Sequence, residues 1–183
     1  MRVIAGRFKG RRLKAPDWPG LRPTSDKLRE TLFNILAPRI DGARLVDGFA
    51  GTGAIGIEAL SRGAGHVMFV ERDRRATTLI EQNLAICGVN APDYTIRGGD
   101  VAAVLSSFDT GACDLIVLDP PYDTAIDGVL DVAARVLTPD GLIVHERATR
   151  RQPLDRPALD RVRDVVSGDS TLTFFRPRKG WSG

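Results

Sequence analysis

Asp119-Pro120-Pro121-Tyr122 directly follows the apolar run Cys113-Asp114-Leu115-Ile116-Val117-Leu118, a predicted buried strand. A carboxylate, a stiff carbonyl and an aromatic face are thereby gathered where a strand gives way to a loop. Two consecutive prolines fix φ and push the residue before them toward extended geometry, so the acceptors of this loop point in definite directions. A rigid acceptor pair beside an aromatic ring suits one task well, the gripping of a flat heterocycle by its exocyclic amine. The plainer alternative is a strand followed by a proline-rich turn.

A second constellation lies upstream. Leu45-Val46-Asp47 runs into Gly48-Phe49-Ala50-Gly51-Thr52-Gly53-Ala54-Ile55-Gly56, and a helix through Ile57, Glu58, Ala59 and Leu60 stops at Gly63. Gly51, Gly53 and Gly56 satisfy G-x-G-x-x-G, and Glu71 lies twenty positions beyond Gly51, after the apolar run Val67-Met68-Phe69-Val70. Strand, glycine turn and helix in this order form a site for an adenosine-bearing cofactor, and the spacing alone does not say which one.

Asp47 discriminates. A dinucleotide lays its pyrophosphate on the helix N-terminus, and a carboxylate at the edge of that turn would repel it. S-adenosylmethionine (AdoMet) has no phosphate and carries an ammonium and a sulfonium, both of which a carboxylate attracts. Asp47 therefore favours AdoMet, with Glu71 taking the ribose hydroxyls and the glycines admitting close backbone approach. Structural alternatives are a helix cap for Asp47 and a solvated strand end for Glu71.

The elements that must position these residues follow from periodicity. Residues 2–14 alternate weakly, with Gly6 and Gly10 as turn points, and predict a short hairpin or ordered arm. Leu28, Leu32, Ile35 and Leu36 share one face of a helix over about 25–37, capped by Ser25 or Asp26 and ended by Pro38. Strands are then expected near 44–48, 66–70, 93–97, 113–118 and 141–145. Helices are expected near 53–62, 73–87, 101–108 and 125–137, the last stopped by Thr138-Pro139-Asp140-Gly141. This alternation predicts an α/β, Rossmann-like fold with helices on both faces of a mostly parallel sheet. After Glu146 the rhythm breaks, and Val162, Val165 and Val166 followed by Leu172, Phe174 and Phe175 predict a closing hairpin with an antiparallel member.

With 183 residues, one domain is expected, divided into a basic arm over 1–21 and a core over 22–183. No apolar run approaches the about 20 residues that span a bilayer, and the first residues lack the apolar core of a signal peptide. A cytoplasmic protein with no membrane partner is expected, and a monomer is the simplest state. Cys87 and Cys113 lack metal-ligand spacing, as do the isolated His66 and His145, so no metal site is expected. The net charge of +3 is uneven: through Arg29 the chain carries nine Lys or Arg against Asp17 and Asp26. Arg2, Arg7, Lys9, Arg11, Arg12 and Lys14 form a basic arm on a mildly acidic body, a pattern suited to a polyanion. Phe8 and Trp18 between these charges are placed to stack on exposed bases. A solvated tail is the alternative.

Taken together, these residues resemble the RsmD-type methyltransferases. The resemblance rests on Arg2-Val3-Ile4-Ala5-Gly6-Arg7 with Gly10-Arg11, on Arg22-Pro23-Thr24 through Arg29-Glu30-Thr31-Leu32-Phe33-Asn34, and on Phe49-Ala50-Gly51-Thr52-Gly53. It continues through Gly56-Ile57-Glu58-Ala59-Leu60-Ser61-Arg62-Gly63-Ala64 to the Asp119-Pro120-Pro121-Tyr122 loop. The glycine turn and the proline loop each occur in many methyltransferases, whereas the arm with the Arg-Pro-Thr helix is more specific.

The resemblance implies methylation of the exocyclic amine (N2) of a guanine in bacterial 16S ribosomal RNA, with AdoMet as donor. It also implies a seven-stranded sheet with a reversed last strand. It places Asp47, Gly51, Thr52 and Gly53 around the methionine end of AdoMet, Glu71 on the ribose and Asp100 on the adenine amine. Arg72 and Val101 stand beside these two, and Thr24 and Arg29 lie in the segment folded over the cofactor. Gly48 stands where the family has a bulky apolar residue, which predicts a looser turn.

In the mechanism so implied, Asp119 and the Pro120 carbonyl accept the two N–H bonds of the amine, Pro121 stiffens the loop, and Tyr122 stacks on an extruded or unpaired base. Partners are ribosomal RNA or the small ribosomal subunit. The nearest competing reading is a DNA amino-methyltransferase acting on adenine or cytosine through the same loop. An NAD-linked oxidoreductase is allowed by the glycines and Glu71, and a non-catalytic RNA-binding module is a third class.

Overall fold

Leu45, Val67, Phe69, Leu115 and Val117 belong to one buried cluster and Val46, Val70, Ile116 and Leu118 to another, although the two sets alternate along the same strands. Such strands need cover on both faces, which is the condition of a parallel sheet. The computed structural model describes residues 1–19, 25–121 and 124–180. Helix α1 spans Asp26–Ile40, followed by β1 (Arg44–Gly48), α2 (Ala54–Ser61), β2 (His66–Glu71) and α3 (Arg74–Cys87). A 3₁₀ turn at Ala91–Asp93 leads to β3 (Tyr94–Gly98), α4 (Val101–Ser106), β4 (Cys113–Leu118) and α5 (Asp127–Val136). Strands β5 (Leu137–Ala148), β6 (Leu159–Ser167) and β7 (Ser170–Pro177) complete the order.

These strands form one seven-stranded sheet in the order β3-β2-β1-β4-β5-β7-β6. The first five are parallel, and β7 runs antiparallel between β5 and β6. The expected α/β fold with a reversed closing strand is therefore present. Connections move outward in opposite directions from β1 and β4, which makes their carboxyl ends the switch point where such sheets bind ligands.

Residues 1–14 do not project as an arm. Val3 N–H donates to the Arg11 carbonyl and Gly10 N–H donates back to the Val3 carbonyl around a tight turn, Arg2 bridges Arg12, and Val3, Phe8 and Leu13 are buried in the same core as α1, α2 and α3. The stacking expected of Phe8 on a base is thus overturned: its ring is part of the core, and Arg7 and Arg11 cover it.

Two further elements differ from expectation for identifiable reasons. Pro38 lies inside α1 instead of ending it. In a last turn it forfeits only its own backbone hydrogen bond, and Ile40 beyond it is buried. The Thr138–Gly141 segment is the irregular start of β5, whose register against β4 shifts between Cys113 and Leu115. Proline is compatible with a strand at such an irregularity.

Candidate active site

The glycine turn is shaped by what surrounds it. Gly53 adopts φ 76° at the N-cap of α2, and a Cβ on Gly56 would lie 2.2 Å from the Phe69 ring. The helix thus sits against β2 too closely for any side chain there. Gly48 does not loosen the turn as expected. The space a side chain would occupy is filled by Leu118 and Val101, and the left-handed positions of the turn are Gly51, Gly53 and, without a glycine's freedom, Phe49 at φ 65°.

The acidic residues hold this backbone in place. Gly53 has no side chain to cap α2, and Asp47 does so from β1: Gly56 N–H donates to its Oδ2 at 2.8 Å. Glu71 accepts from the amides of Gly51 and Asp73, both at 2.9 Å. Asp100 caps α4, accepting from Ala103 N–H at 3.0 Å. Each Glu71 oxygen retains capacity for a second donor, as a ribose hydroxyl would supply.

Outside the carboxyl ends of the strands lies a cavity of about 770 Å³, within the range of small-molecule and cofactor sites. Gly51, Thr52, Glu71, Arg72, Asp100 and Val101 line it, and Asp119, Pro120 and Pro121 form part of the same wall. The two constellations recognised separately in sequence therefore meet in one chamber. Asp47 and Gly53 stand behind the wall and are not among its lining residues. Arg29 does not line it either. Its guanidinium is fully buried and donates to the Arg2 carbonyl and to Asp26, which ties α1 to the hairpin. Thr24 and Tyr122 lie outside the described residues.

Asp47 is 1% exposed, and burial pushes its carboxyl well above the usual carboxylate range. The Gly56 amide opposes this, while the charges of Asp119 and Glu71 add to it. Three carboxylates thus share one field, and a cation in the chamber would relieve their repulsion. A phosphate would deepen no such relief, and the Gly56 amide at the start of α2 is already taken. Cys113, by contrast, is buried at the opposite end of β4, and burial pushes its thiol up to about 11.

Glu146 and Ser170 were not singled out from sequence, yet both line the chamber, and Ser170 Oγ donates to Glu146 Oε1 at 2.9 Å. The available signal was a charged residue ending the apolar run Leu142–His145. Its significance depends on β5 lying beside β4, which no local pattern records.

The basic hairpin residues divide into two groups. Arg7 pairs with Asp93 at 3.3 Å, Arg11 donates to the Ile86 carbonyl at 2.6 Å, and Lys14 Nζ donates to Gln82 at 2.9 Å. These three fasten the hairpin to the body. The side chains of Arg2, Lys9 and Arg12 have no ion pair or hydrogen bond among the described residues. Trp18 lies at the chamber rim, with the Arg75 guanidinium 5.1 Å from its ring.

The hairpin, the turn and the described part of the proline loop all fall in a stretch that matches one known family. The family model described as conserved hypothetical protein 95 matches residues 1–176. Ribosomal RNA small subunit methyltransferase D of Escherichia coli is 38% identical over 146 residues, which cover 80% of this chain and 71% of that protein. The chain belongs to the RsmD family. YlbH of Bacillus subtilis is 40% identical over 151 residues, 80% of this chain and 82% of its own length. Among solved structures, Escherichia coli yhhF superposes with a TM-score of 0.83 at 31% identity, covering 97% of both chains. The RsmD-family match begins at residue 1, so the docked hairpin falls within the matched region.

Proposed function

We propose that this chain is an AdoMet-dependent RNA methyltransferase that modifies the exocyclic amine, N2, of a guanine in bacterial small-subunit ribosomal RNA. The observation that carries this reading is the convergence of Asp119, Pro120 and the glycine turn on one chamber. The family membership and the names of the relatives support ribosomal RNA as the substrate class.

The residues present fit AdoMet. The chamber has the volume for it, Gly51 allows close approach, and the carboxylates Asp47, Glu71 and Asp119 suit a cationic ligand. Gly51, Thr52, Glu71, Asp100 and Val101 would hold it. When bound, it supplies an electrophilic methyl group.

The chain's part is orientation and electrostatics. A guanine amine is a weak nucleophile because its lone pair is delocalised into the ring. Asp119 and the Pro120 carbonyl accept its two N–H bonds, which frees the lone pair to turn out of the ring plane. Transfer would exchange the donor's S–CH₃ bond for a new N–C bond, leaving a neutral thioether; the nitrogen would gain positive charge beside the Asp119 carboxylate, and its surplus proton would pass to Asp119 or to water. The stacking role expected of Tyr122 falls on a residue outside the described ones. No thiol is required, in keeping with the remoteness and raised pKa of Cys113.

Asp119→Ala is expected to abolish transfer of a tritiated methyl group to undermethylated small ribosomal subunits while leaving AdoMet affinity within a few fold, by calorimetry. Retained activity overturns the amine-gripping mechanism. Naked RNA and duplex DNA serve as parallel substrates, and methylation of duplex DNA alone would instead favour the DNA amino-methyltransferase. Mass spectrometry of small-subunit RNA from cells with and without the protein identifies the nucleotide.

A further inference from the structure

Leu118 of β4 is paired in parallel register with His145 of β5. The residue that follows each in sequence is acidic, Asp119 just beyond the end of β4 and Glu146 within β5, so both lie where the β4–β5 pairing ends at its carboxyl edge. Both line the chamber. Glu146 also borders a smaller cavity of about 180 Å³, whose walls include Pro120, Pro121, Thr124 and Ala125. The proline loop thus runs between two spaces, and Glu146 faces both. Its carboxylate is held by Ser170 on β7, which is itself 8% exposed.

A base whose amine is held by Asp119 and Pro120 must present the atom next to that amine to a neighbouring group. In guanine two ring nitrogens flank the amine, N3, which accepts, and N1, which carries a hydrogen and donates; only guanine therefore offers a donor beside its amine. In adenine and cytosine the ring nitrogen beside the amine is an acceptor. An ionised carboxylate can only accept. Opposite guanine it completes a hydrogen bond; opposite the other two it sets acceptor against acceptor. A buried polar group built for a donor rejects an analogue lacking it far more strongly than an apolar pocket can.

We propose that Glu146, oriented by Ser170, accepts the N1–H of the target base and is the residue that selects guanine over bases with the same amine but no neighbouring donor. This rests on the guanine-N2 reading above and extends it to the second half of the base's hydrogen-bonding edge.

The test uses 2-aminopurine, which keeps the N2 amine and lacks the N1 hydrogen. Small-subunit RNA is assembled by splinted ligation with either guanine or 2-aminopurine at the modified position, reconstituted into particles and assayed for methyl transfer. The wild-type protein is expected to prefer guanine by at least a hundredfold in kcat/KM. Glu146→Gln, which can donate to N1, is expected to reduce this preference to less than about tenfold, with AdoMet affinity unchanged. Ser170→Ala is expected to fall between the two.

Equal use of both bases by the wild-type protein overturns the proposal, and so does full discrimination by Glu146→Gln. The wild-type ratio is decisive even where a variant folds poorly. Failure of the wild-type protein on both particles overturns the guanine-N2 reading itself, and with it this assignment.

Discussion

Gly56 on α2 gives its amide hydrogen to Asp47 at the end of β1, across 2.8 Å. One carboxyl group therefore both caps the cofactor helix and places an ionisable acid behind the chamber wall. Burial, then the neighbouring carboxylates, raise its pKa well above the ordinary value. A cationic ligand favours the ionised form and lowers that pKa again. AdoMet binding is thus expected to release protons, and affinity to rise with pH above the usual carboxylate range. Calorimetry in buffers of differing ionisation enthalpy reads the proton count. Asp47→Asn should abolish the release and weaken binding about tenfold, or about 1.4 kcal/mol.

Glu58 is fully buried on α2 and accepts from Ile4 N–H at 2.7 Å, Ala5 N–H at 3.0 Å and Arg62 Nε at 2.7 Å. Removing one partner of a buried ionic cluster leaves the others unsatisfied. Glu58→Ala is expected to cost about 3 kcal/mol in urea unfolding and to make the N-terminal hairpin susceptible to proteolysis under native conditions. Unchanged proteolysis would show that the hairpin is held by its apolar residues alone.

The partition of the hairpin cations gives two different phenotypes. The combined change of Arg2, Lys9 and Arg12 to alanine should leave unfolding stability within about 0.5 kcal/mol, as for surface sites. It should flatten the salt dependence of RNA binding by about two in log–log slope, for three lost contacts to single-stranded phosphates. Arg7→Ala and Arg11→Ala should instead loosen the hairpin, with a smaller effect on the slope.

His145 is buried, and its pKa is lowered to about 4 by burial and, less, by Arg147. An unfolded histidine titrates near 6.5, so between these values the unfolded chain holds a proton that the folded chain does not. Stability present above pH 6.5 is therefore lost as pH falls toward 4, by roughly 3 kcal/mol at full extent. Urea unfolding over that range should show the decline, and His145→Gln should flatten it. A wild-type curve with no decline over this window would place His145 in an exposed setting.

Much of the core architecture was legible because burial on both faces leaves long apolar runs, as in Leu115–Leu118, whose edges are marked by glycine or charge. The glycine turn and the proline loop were legible as chemistry for a related reason: glycine and proline act through backbone geometry, which travels with the residue. Arg29 was not legible. It flanks the apolar stripe of α1, and only the return of the Arg2 carbonyl onto that helix explains why a guanidinium is buried there. Phe8 misled because alternation with arginine looks the same whether the ring stacks on a base or on the body. Glu146 was invisible since its partner in space, Asp119, lies 27 positions away and meets it only through sheet order. Two side chains expected at the site, Thr24 and Tyr122, fall outside the described residues.

During vectorial synthesis the ribosome releases residues 1–14 long before their anchors exist. Glu58 and Ser61 emerge more than fifty residues after the backbone they hold, Asn83 follows Lys14 by 69, and Asp93 follows Arg7 by 86. Loop closure over such separations comes late in folding. A segment made well before its anchors is thus among the last to lock, and an arginine-rich tether stays loose beside nascent ribosomal surroundings until α3 and the turn after it have formed.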